Sequence, residues 1–284
     1  MNLTDIIQKE YKNLSKGQQK VAKYLLEIPR DFAVKSAKEI GDNVGVSETT
    51  VIRFCYSIKL SGFSELQKMV RKQLLDRKSS LEQYFSSKLE LAEQPHFYAK
   101  VMEQDLRHIQ ETIHHIQEKD FNNAVDQLVK SNKVYISGLR TSFSAASWLA
   151  FTLGLIRGNV QLLRPDTDDL LLSISEMDES STLIAISFHR YLMETIKVAQ
   201  LAKEQGVYVI GITDSPLAPI HEYSDVIFQI FSSEKSTIDS APALFSFLNA
   251  LVAGVSIKDK ERFEKRKEQY DQLNGDFFFV RDGG

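Results

Sequence analysis

One cysteine, Cys55, is all that 284 residues contain, so an internal disulfide is impossible and a reducing compartment fits. No uninterrupted apolar run approaches the roughly 18 residues that a membrane span needs. The amino terminus, Met-Asn-Leu-Thr-Asp-Ile-Ile-Gln-Lys-Glu, lacks the apolar core of a signal peptide. A cytoplasmic chain with no membrane partner is expected. The common nucleotide-binding signatures are missing too: there is no G-x-G-x-x-G turn and no Walker lysine. Three histidines of one helical segment, His108, His114 and His115, stand at spacings of 6 and 7 rather than the i, i+4 of a zinc pair. They read as solvated, and neither a metal nor a cofactor is expected. No internal repeat and no low-complexity tract interrupts the chain.

What is present is the composition of a globular protein, 43% apolar and 26% charged, long enough for one large domain or two ordinary ones. Net charge is −3 but uneven: residues 1–80 carry +6 and the remainder −9. A basic amino-terminal piece on an acidic body suggests that only the first meets a polyanion.

Up to about residue 78 the pattern is helical. Three S-x-x-Q/E sequences, Ser15 to Gln18, Ser36 to Glu39 and Ser64 to Gln67, read as capping boxes ahead of apolar residues at helical spacing. The charged stretch 71–80 is a boundary candidate. Phe97, Val101, Ile109, Ile113 and Ile116 then form one stripe, an amphipathic linker helix within 79–124. From about 133 the rhythm changes to short β-rich runs at 133–137, 159–163, 182–187, 207–213 and 225–230, separated mostly by helical patterns. Strands alternating with helices predict βαβ units: an α/β three-layer domain over 125–257 with a mainly parallel sheet. A carboxy-terminal helix and tail, 258–284, follow.

The segment from Ser36 to Phe54 carries the most information. Ser36 caps a short helix that Gly45 can end through a positive φ, and Ser47 caps the next. On that second helix Val51, Phe54, Cys55 and Ile58 recur at i, i+3, i+4 and i+7 and face inward, leaving Thr49, Thr50, Arg53 and Ser57 outward. Cys55 is therefore a small buried hydrophobe. An ordinary helical hairpin with a solvated face has this pattern, and so does a helix-turn-helix, whose second helix enters the major groove. In that reading Ser47, Thr49, Thr50, Arg53 and Ser57 meet DNA, a threonine touching a thymine methyl and the arginine a guanine.

Leu14-Ser15, the run Val44-Gly-Val-Ser-Glu-Thr-Thr-Val-Ile-Arg-Phe-Cys55 and Gly62-Phe-Ser-Glu65 resemble the amino-terminal domain of the RpiR family of bacterial transcription regulators. The family pattern V-S-x-x-T-V-x-R-F-C, followed by G-F-x-x-F, covers about sixty residues. Lys59 stands where that family usually has glycine, so the helix must end without the residue best suited to a left-handed cap.

In the second half, Ser137-Gly-Leu-Arg-Thr-Ser-Phe-Ser144 joins the first strand to its helix, a βα turn suited to anions through free N–H groups and the helix dipole. Glycine and serine are also common in such turns for structural reasons alone. Ser187-Phe-His-Arg-Tyr191 and Thr213-Asp-Ser-Pro216 lie at carboxyl ends of strands as well, where open parallel sheets bind ligands. Residues 125–257 resemble the SIS (sugar isomerase) fold, whose members hold phosphosugars in these turns and which RpiR-type regulators pair with a helix-turn-helix. The resemblance carries Ser142 and Ser187 over as phosphate-binding candidates, and Gly138, Arg140, His189, Arg190 and Thr213 join them as ligand-binding candidates by their place in these turns, where a guanidinium can pair with a phosphate or carboxylate. The family's first turn often reads G-x-G-x-S, and here Arg140 occupies the second glycine. Its second reads S-x-S-G-x-T, and here His189 and Arg190 replace the second serine and the glycine.

An isomerase on this fold needs an acid and a base beside the sugar carbons. Glu222, Glu234 and Asp239 read as surface carboxylates, so no catalytic residue is expected. The resemblance implies a repressor of carbohydrate genes, bound to double-stranded operator DNA as a dimer or tetramer and controlled by a phosphosugar-like effector. The alternative is a sugar-phosphate isomerase with an accessory helical domain.

Overall fold

The computed structural model describes residues 3–75, 80–216, 218–232 and 236–273. The expected boundary at 78, the carboxylate of Glu234 and the tail beyond 273 lie outside the described residues. The chain divides into two compact units, residues 1–79 and 80–284.

The first unit is helical: α1 (Leu3–Glu10), α2 (Lys16–Glu27), α3 (Pro29–Val34), α4 (Ala37–Val44), α5 (Glu48–Ser57) and α6 (Phe63–Leu75). Two capping boxes form as the sequence predicts. Gln18 N donates to Ser15 Oγ and Ser15 N to Gln18 Oε1; Ser36 and Glu39 do the same for α4. The third does not. α6 begins at Phe63, whose ring packs on Phe32 at 6.2 Å, so Ser64 already lies inside the helix, and Glu65 Oε2 reaches back to accept from Ser61 N and Oγ at 2.6 and 2.7 Å. Gln67 instead donates to the Lys35 carbonyl. The core joins Ile7, Val21, Leu25, Phe32, Ile40, Val51, Phe54, Ile58 and Leu66, all at or near zero exposure. Each such side chain contributes about 1.5–3 kcal/mol of burial.

α5 ends in a Schellman closure: Lys59 N donates to Tyr56 O and Leu60 N to Cys55 O. That geometry puts Lys59 at φ +64, a strain of about 1–2 kcal/mol that a glycine there would not carry.

The second unit opens with α7 (Ser80–Ala92), α8 (Phe97–His115) and α9 (Glu118–Lys130). There follow β1 (Lys133–Gly138), α10 (Thr141–Arg157), β2 (Val160–Leu162), α11 (Leu170–Ser175), β3 (Ser181–Ile186), α12 (Met193–Glu204), β4 (Tyr208–Thr213), β5 (Val226–Gln229), α13 (Ala241–Lys258) and α14 (Lys260–Leu273). The strands form one all-parallel sheet, ordered β2-β1-β3-β4-β5. Alternation along each strand divides the core into two layers. Val134, Ile136, Ile184, Ile186, Ile210 and Phe228 face α9, α10 and α13; Tyr135, Leu183, Ala185 and Val209 face α11 and α12. α13 is long and apolar enough by composition to cross a membrane, but Leu244, Phe247, Leu248 and Leu251 on one side of it cover the sheet.

Three readings are corrected here. His108 is buried, 2% exposed, with Nδ1 3.3 Å from the Asp239 carbonyl oxygen, and only His114 and His115 of the trio lie at the surface. Asp239 is no surface carboxylate: at 3% exposure its Oδ1 pairs with Lys88 Nζ at 2.8 Å. The stripe foreseen on α8 holds in part: Ile109 and Ile116 pack against the core and Val101 is half-buried, but its other members do not. Thr112 Oγ1 accepts from Phe231 N at 2.9 Å, so hydrogen bonds turn His108 and Thr112 inward and leave Phe97 and Ile113 exposed. Glu222 does lie exposed.

Candidate functional site

In the first unit the site is α5 and the turn before it. Gly45 takes φ +71 and Val46 N donates to Gly41 O, closing α4. Ser47 Oγ then accepts from Thr50 N at 3.2 Å and starts α5. Gly41 permits this tight passage. A Cβ there would meet Val46 O at 2.8 Å and Glu48 N at 3.2 Å.

Val51, Phe54, Cys55 and Ile58 are fully buried, and burial pushes the Cys55 thiol up to about 12. Of the outward residues, Thr49 and Arg53 are exposed. Thr50 is half-buried: its hydroxyl lies 2.9 Å from that of Ser47, and its methyl is close to Gly17 of α2. Ser57 Oγ accepts from Gln18 Nε2 at 2.8 Å and donates to Arg53 O. Thr50 and Ser57 thus seat α5 against α2. Tyr56, 57% exposed, joins Thr49 and Arg53 on the outer face; the 49, 52, 53, 56 spacing was the signal for it.

In the second unit three turns converge. The register places Gly138 opposite Ile186 and Ile186 opposite Ile212, so the turns after β1, β3 and β4 leave the sheet at one level, about 4.8 Å apart. The chain reverses direction across the sheet between β1 and β3, the switch point where doubly wound folds bind ligands.

Gly138 serves packing: a Cβ there would strike Ser142 O at 2.9 Å and the Ala146 methyl at 3.0 Å. Ser142 is buried in the first turn of α10, and its N–H closes a turn onto Leu139 O. Arg140, at φ 53 and ψ −119, occupies the second position of that turn, the type II′ geometry that glycine dominates. Ser187 is 3% exposed, and its Oγ has no hydrogen-bond partner among the described residues. A buried orphan hydroxyl costs about 1–3 kcal/mol.

The next turn is held by Asp214, which sequence reasoning passed over in favour of its neighbour. Asp214 accepts from His189 N at 3.1 Å and from the Tyr191 hydroxyl at 3.0 Å. Burial, then the adjacent carboxylate, push the Tyr191 phenol far above its ordinary value. Thr213 is fully buried, with its hydroxyl toward Asp214 at 3.4 Å. Arg190 stands exposed at φ +70. Arg140 and Arg190 therefore both hold a positive φ that glycine would take without strain, at about 1–3 kcal/mol each.

Comparison with known proteins agrees with both halves. Residues 1–77 match the helix-turn-helix domain of the rpiR family, and residues 127–254 match the SIS domain. The transcriptional regulator HexR of Escherichia coli is 27% identical over 77% of this chain and 75% of its own. HexR of Pseudomonas aeruginosa is 26% identical over 76% and 75%. Among solved structures, the Vibrio vulnificus NanR protein complexed with ManNAc-6P shares the fold at a TM-score of 0.58 and 18% identity, covering 96% of this chain and 98% of that one. The sugar isomerase domain of an RpiR transcription factor from Sphaerobacter thermophilus gives 0.57 and 21% over 62% and 98%. The chain thus joins an rpiR-family helix-turn-helix domain to a SIS domain, in that order, and is similar to transcriptional regulators over both.

Proposed function

We propose that the chain represses carbohydrate-metabolism genes by placing α5 in the major groove of an operator, and that a phosphosugar-like effector held by the turns after β1, β3 and β4 controls that binding. The observation that carries the proposal is the division of α5. Its inner face is wholly buried, while Thr49, Arg53 and Tyr56 form an outer face with a cation at its centre. Ser47 and Thr50, at the helix N-terminus, are positioned for a phosphate. The NanR complex with a phosphorylated amino sugar supports the same ligand class for this SIS domain. The isomerase alternative is disfavoured, because Asp239 is buried in an ion pair and the similar curated proteins are regulators.

Replacing Arg53 with alanine is expected to weaken operator binding by about 1–3 kcal/mol, roughly 5- to 150-fold, in a gel-shift titration. Affinity should also fall steeply with salt, since phosphate contacts release counterions. Unchanged binding by Arg53→Ala removes α5 from the groove.

The regulator acts as a homodimer or a dimer of dimers, to match two-fold operator half-sites. The outward faces of α10 and α13 support this: Phe151 is 65% exposed and Ile257 82%, apolar surface that a second copy would cover. A monomer at micromolar concentration in sedimentation, with operator binding intact, overturns it. Coupling to the effector runs through α7 and α8, the first elements after the DNA-binding unit. Both are bonded to the segment between β5 and α13 through Lys88, His108 and Thr112.

A further inference from the structure

Five described residues other than glycine take a positive φ: Lys59, His96, Arg140, Asn159 and Arg190. Lys59 and His96 sit at helix ends, and asparagine tolerates this region well. The remaining two are both arginines, and each lies on a turn flanking the β1–β3 crevice. Strain of this kind persists where the surroundings enforce it and clusters at ligand sites. At Arg140 a type II′ turn enforces it, closed by Ser142 N on Leu139 O. At Arg190 it is enforced by Asp214, which grips the residues on either side, through His189 N and the Tyr191 hydroxyl.

Glycine would relieve both positions, so these side chains supply something that glycine lacks. Both guanidiniums are exposed, and neither makes an ion pair among the described residues. Ser187, which opens the turn that carries Arg190, has a buried Oγ without a partner among the described residues. Hydroxyl and N–H donors of such turns are enough for one phosphate. Two added guanidiniums, each a planar fork that binds a carboxylate or phosphate through two parallel bonds, exceed what a single phosphate needs.

Building on the effector-site reading above, we infer that the effector carries two anionic groups: a phosphate, and a second phosphate or a carboxylate on the same carbon chain. Arg140 and Arg190 are the residues that select for the second group. A neutral-bodied sugar monophosphate fills only half of the site.

The test is calorimetric titration of the full chain with inorganic phosphate, glucose 6-phosphate, fructose 1,6-bisphosphate, 6-phosphogluconate and gluconate. At least one of the two doubly anionic compounds is expected to bind ten-fold or more tightly than glucose 6-phosphate. Which one does so decides between a second phosphate and a carboxylate. Arg140→Gly and Arg190→Gly are the diagnostic variants, because glycine suits both backbone positions and folding is preserved. Each should bring the doubly anionic ligand down toward the affinity of glucose 6-phosphate, while that of glucose 6-phosphate changes less than three-fold. Equal wild-type affinity for mono- and dianionic compounds, or discrimination that survives in both glycine variants, overturns the inference and leaves the crevice as a phosphosugar site. Failure of every phosphorylated compound to bind overturns the effector-site reading itself.

Discussion

Lys88→Met is expected to destabilise the second unit by about 3–5 kcal/mol, the usual consequence of removing one partner from a buried ion pair. The ammonium is held at 2.8 Å from Asp239 Oδ1 and 2.6 Å from Gln104 Oε1, with 9% and 3% of the two charged side chains exposed. Asp239 Oδ2 already lacks a hydrogen-bond partner among the described residues. Without the lysine the whole carboxylate charge is left in a water-poor site, and that desolvation outweighs the modest loss of aliphatic packing. The double variant Lys88→Met/Asp239→Leu should recover most of the loss, because removing both charges also removes the desolvation. Urea unfolding followed by circular dichroism measures both. A single variant within 1 kcal/mol of wild type would mean that the pair opens to water.

Gly41→Val should have a comparable effect on the first unit, about 3 kcal/mol or more, and should abolish operator binding. The atoms a Cβ would meet, Val46 O, Glu48 N and the carbonyl carbon of Ser47, are all backbone of the turn that aims α5. No side-chain rotation relieves them, so α4 and α5 must separate. Gly45→Ala is the contrast. Its φ of +71 strains any side chain, yet open space surrounds it, and a loss of about 1 kcal/mol is expected. Scanning calorimetry should show Gly41→Val lowering one transition while the second unit's transition stays in place. A shift of both, or of neither, contradicts this account.

What could be read in the sequence was local. Ser15, Ser36, Gly45 and Ser47 act within four residues of themselves, and their roles in starting and ending helices follow from short-range hydrogen bonding. The strands were legible because two-residue alternation and β-branched runs persist over whole elements. The strained Lys59 was legible as well, since a helix end demands that conformation whatever residue occupies it. Legibility failed where a partner lies far along the chain. Asp239 looked like a surface acid because nothing near it announces Lys88 or the ring of His108. The inward turn of Thr112 on α8 depends on its meeting Phe231 N, 119 positions away. Asp214 was hidden for a different reason. Its neighbours Thr213 and Ser215 carry the same polar signal, and only the fold shows that Asp214 reaches across to both His189 and Tyr191.

The separation between His108 and Asp239, 131 positions, also sets a schedule for the growing chain. Residues 1–79 form a complete unit with its own core and leave the ribosome first. At synthesis rates of about 5–20 residues per second, Asp239 follows on the order of ten seconds later. Until then Lys88 of α7 lacks its charge partner, and β5, the last strand of the sheet, and Phe231, which binds Thr112 of α8, arrive only shortly before. Each newborn molecule therefore spends its first seconds with a finished helix-turn-helix unit attached to an unfinished SIS domain.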